Sequence, residues 1–131
     1  MSPADDLARY IAGLGLGIFG NSNQNAWAVS VAREPIEPAN CITFYDTGGV
    51  GADTDELDLY RPSIQVRVRS RDYMEGCNKQ QQIRLALHAI AGATINGKRY
   101  VGVTNETDIN HIGMSENNLF LTTISYQVIH E

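Results

Sequence analysis

From Ile64 the apolar residues fall on every second position: Ile64, Val66 and Val68, with Gln65, Arg67 and Arg69 between them. A strand turns successive side chains to opposite faces, so this pattern predicts one apolar face and one arginine-bearing face. The same alternation predicts a strand at Trp27–Val31, and a long final strand through Phe120, Thr122, Ile124, Tyr126 and Val128. Strong β formers at Cys41–Tyr45 and a short run at Tyr100–Val103 predict two more. Two stretches follow a helical period. Leu7, Ile11 and Leu14 lie behind Ser2-Pro3, which reads as an N-cap and a first-turn proline, and Asp5 and Asp6 suit the positive helix end; this helix is predicted over 3–13. Asp72 and Glu75 fit a capping box for a second helix over 73–91, with Tyr73, Cys77, Ile83, Leu87 and Ile90 on its buried face and Gly92 as its stop.

The segments between are legible from their breakers. Gly13, Gly15, Gly17 and Gly20 end the first helix, and the polar run 21–25 reads as a loop. Pro35 and Pro38 exclude residues 33–38 from a central strand and make them a connector. Residues 46–58 read as a glycine-rich acidic loop, Asn96-Gly97 as a tight hairpin turn, and residues 105–118 as polar and irregular. The predicted order is α, β, β, β, α, β, β. It implies one α+β domain over 1–131: a single mixed, mostly antiparallel β-sheet with two α-helices packed on one face.

Composition narrows the function. The 131 residues carry 10 basic and 15 acidic side chains, a net charge of −5, which argues against nucleic-acid binding over a broad basic surface. No apolar run reaches the roughly 18–20 residues of a membrane helix, and the acidic, polar N-terminal residues do not read as a secretory signal. Cys41 and Cys77 have no metal-ligand spacing and read as reduced, buried thiols in a cytosolic setting.

Several motifs invite chemistry and lack its context. Gly15-Leu16-Gly17-Ile18-Phe19-Gly20 matches a dinucleotide fingerprint, but a helix precedes it where a strand is required. Asp46-Thr47-Gly48 follows an apolar strand, as the catalytic triplet of a homodimeric aspartic protease would, yet the second apolar-apolar-Gly element is missing. Residues 53–58 resemble half a calcium loop, but Asp58 stands where glycine belongs and Ile64 where a bidentate glutamate belongs. His88, His111 and His130 have no metal spacing. These readings give no catalytic residue, no metal site and no cofactor.

The charge pattern is more informative. Asp53, Asp55, Glu56 and Asp58 directly precede Arg61, Arg67, Arg69 and Arg71. One reading is a solvated strand face with ion pairs worth roughly 0–1 kcal/mol each. Another is a head-to-tail contact, with the acidic loop of one copy meeting the arginine strand of the next. A third is a weak contact of the arginines with DNA phosphate.

The order Pro35…Pro38, Ile42–Gly49, Tyr60-Arg61-Pro62-Ser63-Ile64-Gln65-Val66-Arg67-Val68-Arg69-Ser70-Arg71-Asp72-Tyr73, then Ile95-Asn96-Gly97-Lys98-Arg99-Tyr100-Val101-Gly102-Val103 and a closing strand, resembles the tail terminator or minor capsid family of tailed bacteriophages. The resemblance covers nearly the whole chain and departs at Met114–Leu119, where a charged, glycine-containing turn would be expected. It implies a structural virion protein with no enzymatic role. Such a protein forms a homo-oligomeric ring, usually a hexamer, on the head-proximal end of the tail tube. It stops tube polymerisation and joins the tube to neck or connector proteins. DNA passes through the lumen without specific binding, there is no membrane partner, and assembly takes place in the host cytoplasm. A head-completion, connector or other neck protein is the alternative.

Overall fold

The computed structural model describes residues 2–20, 27–35, 39–50, 59–115 and 118–131. The elements are α1 (Pro3–Gly13), β1 (Ile18–Phe19), β2 (Ala28–Val31), β3 (Cys41–Val50), β4 (Arg61–Ser70), α2 (Tyr73–His88), β5 (Ala91–Ile95), β6 (Lys98–Asn105), β7 (Asn110–Met114) and β8 (Phe120–His130). The strands form one sheet in the order β1-β2-β3-β4-β8-β6-β5, with β7 also paired to β8. β1–β2 and β2–β3 are parallel and the other pairs are antiparallel, so the α+β reading with a mixed sheet holds.

Ile64, Val66 and Val68 of β4 and Ile124, Tyr126 and Val128 of β8 share the face that both helices cover. Ala4, Leu7, Ala8 and Ile11 of α1 and Ile83 and Leu87 of α2 complete this core. The helix stripe on α2 differs from expectation. Its buried positions are Gly76, Gln80, Ile83 and Leu87, while Tyr73 is exposed and Cys77 only half-buried. Gly76 is buried because a Cβ there would stand 3.1 Å from the Ser70 side chain. Gln80 is buried because Nε2 donates to the carbonyls of Val66 (3.0 Å) and Thr122 (3.2 Å), which offsets the cost of sinking an amide.

Four other expectations are corrected. α2 ends at His88 with Ala89 as its cap, so Ala91 and Gly92 open β5 instead of closing the helix. Residues 46–50, expected in a loop, continue β3 past a bulge between Asp46 and Gly49. Residues 110–114, expected to be irregular, form β7. β6 and β7 lie along one edge of β8, interrupted where Glu106 and Thr107 donate to the Ser125 carbonyl and Thr107 Oγ1 accepts from Ser125 N. The glycine run after α1 contains the short strand β1. Gly17 is required there, since a Cβ would lie 2.5 Å from Val29 Cγ2 and 3.0 Å from the Trp27 carbonyl. The Asn96-Gly97 turn is as expected: both residues have positive φ, +52° and +76°, and Ile95 pairs with Lys98. The polar run 21–25 lies mostly or wholly outside the described residues.

Two acidic side chains fix α1 in place. Ser2 Oγ accepts from Asp5 N, and Asp46, far away on β3, accepts from Ala4 N at 3.0 Å. The helix N-terminus is therefore capped twice, once locally and once by the sheet. Asp6 is buried and accepts from Asn96 Nδ2 (2.9 Å), Lys98 Nζ (3.3 Å) and the Tyr100 hydroxyl, which ties α1 to the β5–β6 hairpin. Burial, and then the bond to Asp6, pushes the Tyr100 hydroxyl well above its usual range. Replacing Asp46 by alanine is expected to lower stability by about 1 kcal/mol. Urea unfolding should show an earlier midpoint with an unchanged slope.

Candidate functional site

The arginine face of β4 is the side opposite the helices. What covers it follows from the topology. β2 and β3 are adjacent and parallel, so the chain must return over one face of the sheet between Val31 and Cys41. It returns over the arginines. Ala32, at the start of this crossover, has φ +65°, an uncommon conformation for a residue with a Cβ.

Arg69 is the anchor. Its Nε donates to the Ala39 carbonyl at 3.0 Å and an Nη to the Pro35 carbonyl at 2.6 Å, and the other Nη lies 3.6 Å from Glu34 Oε2. The side chain is only 9% exposed. Arg67 donates to Glu34 Oε1 at 3.1 Å, sits 5.4 Å from the Tyr45 ring centre and is 32% exposed. Glu34 is thus held between two guanidinium groups. Burial, and then the neighbouring Glu34 charge, pushes the Tyr45 hydroxyl up, against the pull of Arg67. Burial also pushes up the thiol of Cys41, which packs under the crossover, and so disfavours a reactive thiolate.

Of the eight residues expected at an interface, the structure places four. Arg67 and Arg69 face the chain's own crossover. Arg61 is half-buried at the start of β4. Arg71 is exposed at the other end, its backbone N donating to Asn40 Oδ1, and its side chain has no ion-pair partner among the described residues. Asp53, Asp55, Glu56 and Asp58 lie outside the described residues, as does the half calcium loop that contains them. Asp46, first residue of the Asp46-Thr47-Gly48 triplet, has its carboxylate engaged as the α1 cap.

Sequence reasoning missed two features. One is Glu34, the acidic partner of the arginine row. Its signal was an acid beside a proline in a connector that has to cross a sheet face. The other is an apolar surface beyond the end of β4. The rings of Tyr73, His111 and Phe120 meet edge-on or tilted, with centres 5.3–6.1 Å apart, and Met74, Ile112 and Met114 are exposed nearby in sequence and register. It stayed hidden because β7 carries Asn110, His111 and Gly113 and reads as a loop.

Elsewhere, a groove of about 400 Å³ is lined by Arg84, His88, Asn105, Glu106, Thr107 and Asp108. A smaller one, about 280 Å³, lies between Trp27 and α2 beside Lys79, whose ammonium pKa is lowered by burial. Among the described residues, no group of three or more His, Cys, Asp and Glu is placed to hold a metal ion, and no helix is long and apolar enough to cross a membrane.

This fold is shared with a solved chain. A chain of the structure titled virion of native gene transfer agent particle superposes with a TM-score of 0.56 over 79% of this chain and 78% of that one, at 13% identity. A second solved chain, 18% identical over 99% of this chain and 97% of that one, reaches a TM-score of only 0.47. Comparison with curated proteins gives no match. The family profile described as bacteriophage tail terminator protein matches residues 10–131, and the chain belongs to that family. It is a structural protein of the phage tail.

The clamp sets a stability order. Replacing Arg69 by methionine strands two carbonyls and one side of Glu34, with an expected cost of about 3 kcal/mol. The same change at the more exposed Arg67 is expected to cost less than about 1 kcal/mol. Urea midpoints of the two variants, and of each combined with Glu34→Gln, would check the order. Arg69 and Glu34 should be non-additive.

Proposed function

We propose that this protein caps the head-proximal end of the tail tube as a closed ring, stops tube polymerisation and presents the surface that receives the neck. The observation that carries this reading is the family match across residues 10–131, borne on a fold shared with a virion chain. The ring is built from copies of this chain, with six as the expected number. It contacts the tube protein below and the connector above, and DNA passes through it without specific binding. The subunit or tube interface draws on the arginine row and on the carboxylates of Asp53, Asp55, Glu56 and Asp58. Within the row, Arg61 and Arg71 lie at the two ends of β4, and the partly exposed Arg67 adds to them. Assembly proceeds in the host cytoplasm and the product resides in the virion.

The alternative is a ring of the same build that belongs wholly to the neck. Adding the purified protein to polymerising tube protein separates the two. A terminator should give shorter tubes with extra density at one end, in negative stain, and a mass of about six copies by light scattering. Tubes of unchanged length, with binding to isolated connectors instead, would transfer the protein to the neck.

A further inference from the structure

We propose that the groove between Trp27 and Lys79 of one copy receives the Asp108 carboxylate of the next copy. This rests on the ring reading and adds a subunit contact separate from the arginine row.

The groove, about 280 Å³, is lined by Trp27, Glu75, Asn78, Lys79 and Gln82. That is below the usual range of small-molecule pockets and suits the side chain of a partner. Lys79 leans inward. Its Nζ donates to the Leu16 carbonyl at 3.1 Å and lies 5.2 Å from the centre of the Trp27 ring. Glu75, one turn earlier on α2, is not paired with it, and among the described residues Lys79 has no carboxylate partner. Burial already disfavours its charge. A half-buried ammonium with donors to spare, beside the amides of Asn78 and Gln82, suits a carboxylate.

The chain carries a matching carboxylate on the other flank of α2. The turn Asn105–Asp108, between β6 and β7, has two acidic residues and no basic one. It is tied to β8 through the Ser125 backbone and closed by Asn105 Nδ2, which donates to the Thr107 carbonyl at 3.0 Å. Glu106 is engaged by the Ser63 hydroxyl. Asp108 is freer: its side chain is 87% exposed. Ile109 N donates to its Oδ1 at 2.7 Å and Arg84 lies 3.8 Å from the same oxygen, so Oδ2 has no partner among the described residues. Trp27 adjoins β2 and Asn105 ends β6, four strand spacings away in the sheet, or about 19 Å. An aspartate side chain cannot cross that span, so the groove of one copy is filled by the turn of another. Groove and turn are different surfaces on opposite flanks. The contact is therefore head-to-tail, the kind from which rings close.

The test uses the full chain and its single tryptophan, Trp27, which lines the groove. Light scattering and acrylamide quenching of Trp27 fluorescence would be followed across protein concentration. The proteins are the wild type, Asp108→Lys, Lys79→Glu and the two combined, with circular dichroism as the check on folding and Lys79→Met in reserve if Lys79→Glu does not fold. Assembly of the wild type is expected to shield Trp27 from the quencher. Each single variant is expected to raise the concentration needed for assembly about tenfold or more and to leave Trp27 open, and the combined swap to restore both. A folded Asp108→Lys protein that assembles like wild type overturns the docking while the ring stands. So does assembly that leaves Trp27 as open as in the monomer, and so does a wild type that is monomeric at every concentration. Variants that assemble normally and no longer cap tubes would give the groove to the tube protein and also overturn it. A wild type that assembles, shields Trp27 and responds to the charge swap but caps no tube keeps the docking and removes the terminator reading.

Discussion

The pairing of Arg69 with the crossover is the contact on which the rest of the sheet depends. A parallel β2–β3 pair obliges the chain to climb over one face, and among the described residues it does so without a helix to satisfy its own backbone. Two of the carbonyls exposed by that choice, at residues 35 and 39, are met by one guanidinium, and the acid just before them, Glu34, by two. Arginine suits the task because its donors are fixed in a plane and stay charged when buried; a lysine would serve one acceptor at a time. The alternation that puts Val66 and Val68 into the helix-side core also puts Arg67 and Arg69 under the crossover. One strand thus organises both layers.

The same economy governs the acids. The exposed Asp46 and the buried Asp6 reach to the first turn of α1 and to the β5–β6 hairpin, and link parts of the chain that are 42 and 90 residues apart. With Glu34 they are three carboxylates that stabilise the fold. Four further acidic side chains are concentrated in the segment 51–58. Of the four arginines, Arg67 and Arg69 are already paired within the chain itself.

Much of this was legible. Period-two alternation placed β4 and β8, Ser2-Pro3 and Asp72 placed both helix starts, and Asn96-Gly97 placed a hairpin. What escaped has common physical causes. Gln80 is polar by type, yet buried, because its partners come from two distant strands. β7 is a strand only through its pairing with β8, since Asn110 and Gly113 have little preference for one. The destination of the arginines was illegible because charge spacing says that a partner exists and not where it lies; Glu34 is more than thirty positions away in sequence. Tyr73 was read as part of a buried helix face because the capping box set the helix start without setting its rotation.

The position of β8 has a consequence in time. It is the last strand in sequence, yet it lies between β4 and β6 and supplies Ile124, Tyr126 and Val128 to the core. Until it arrives, the sheet exists as two separate pieces, one from β1 to β4 and the other the β5–β6 hairpin, with open edges facing each other. The core is therefore incomplete until this strand pairs, and its closure rests on contacts between strands far apart in sequence.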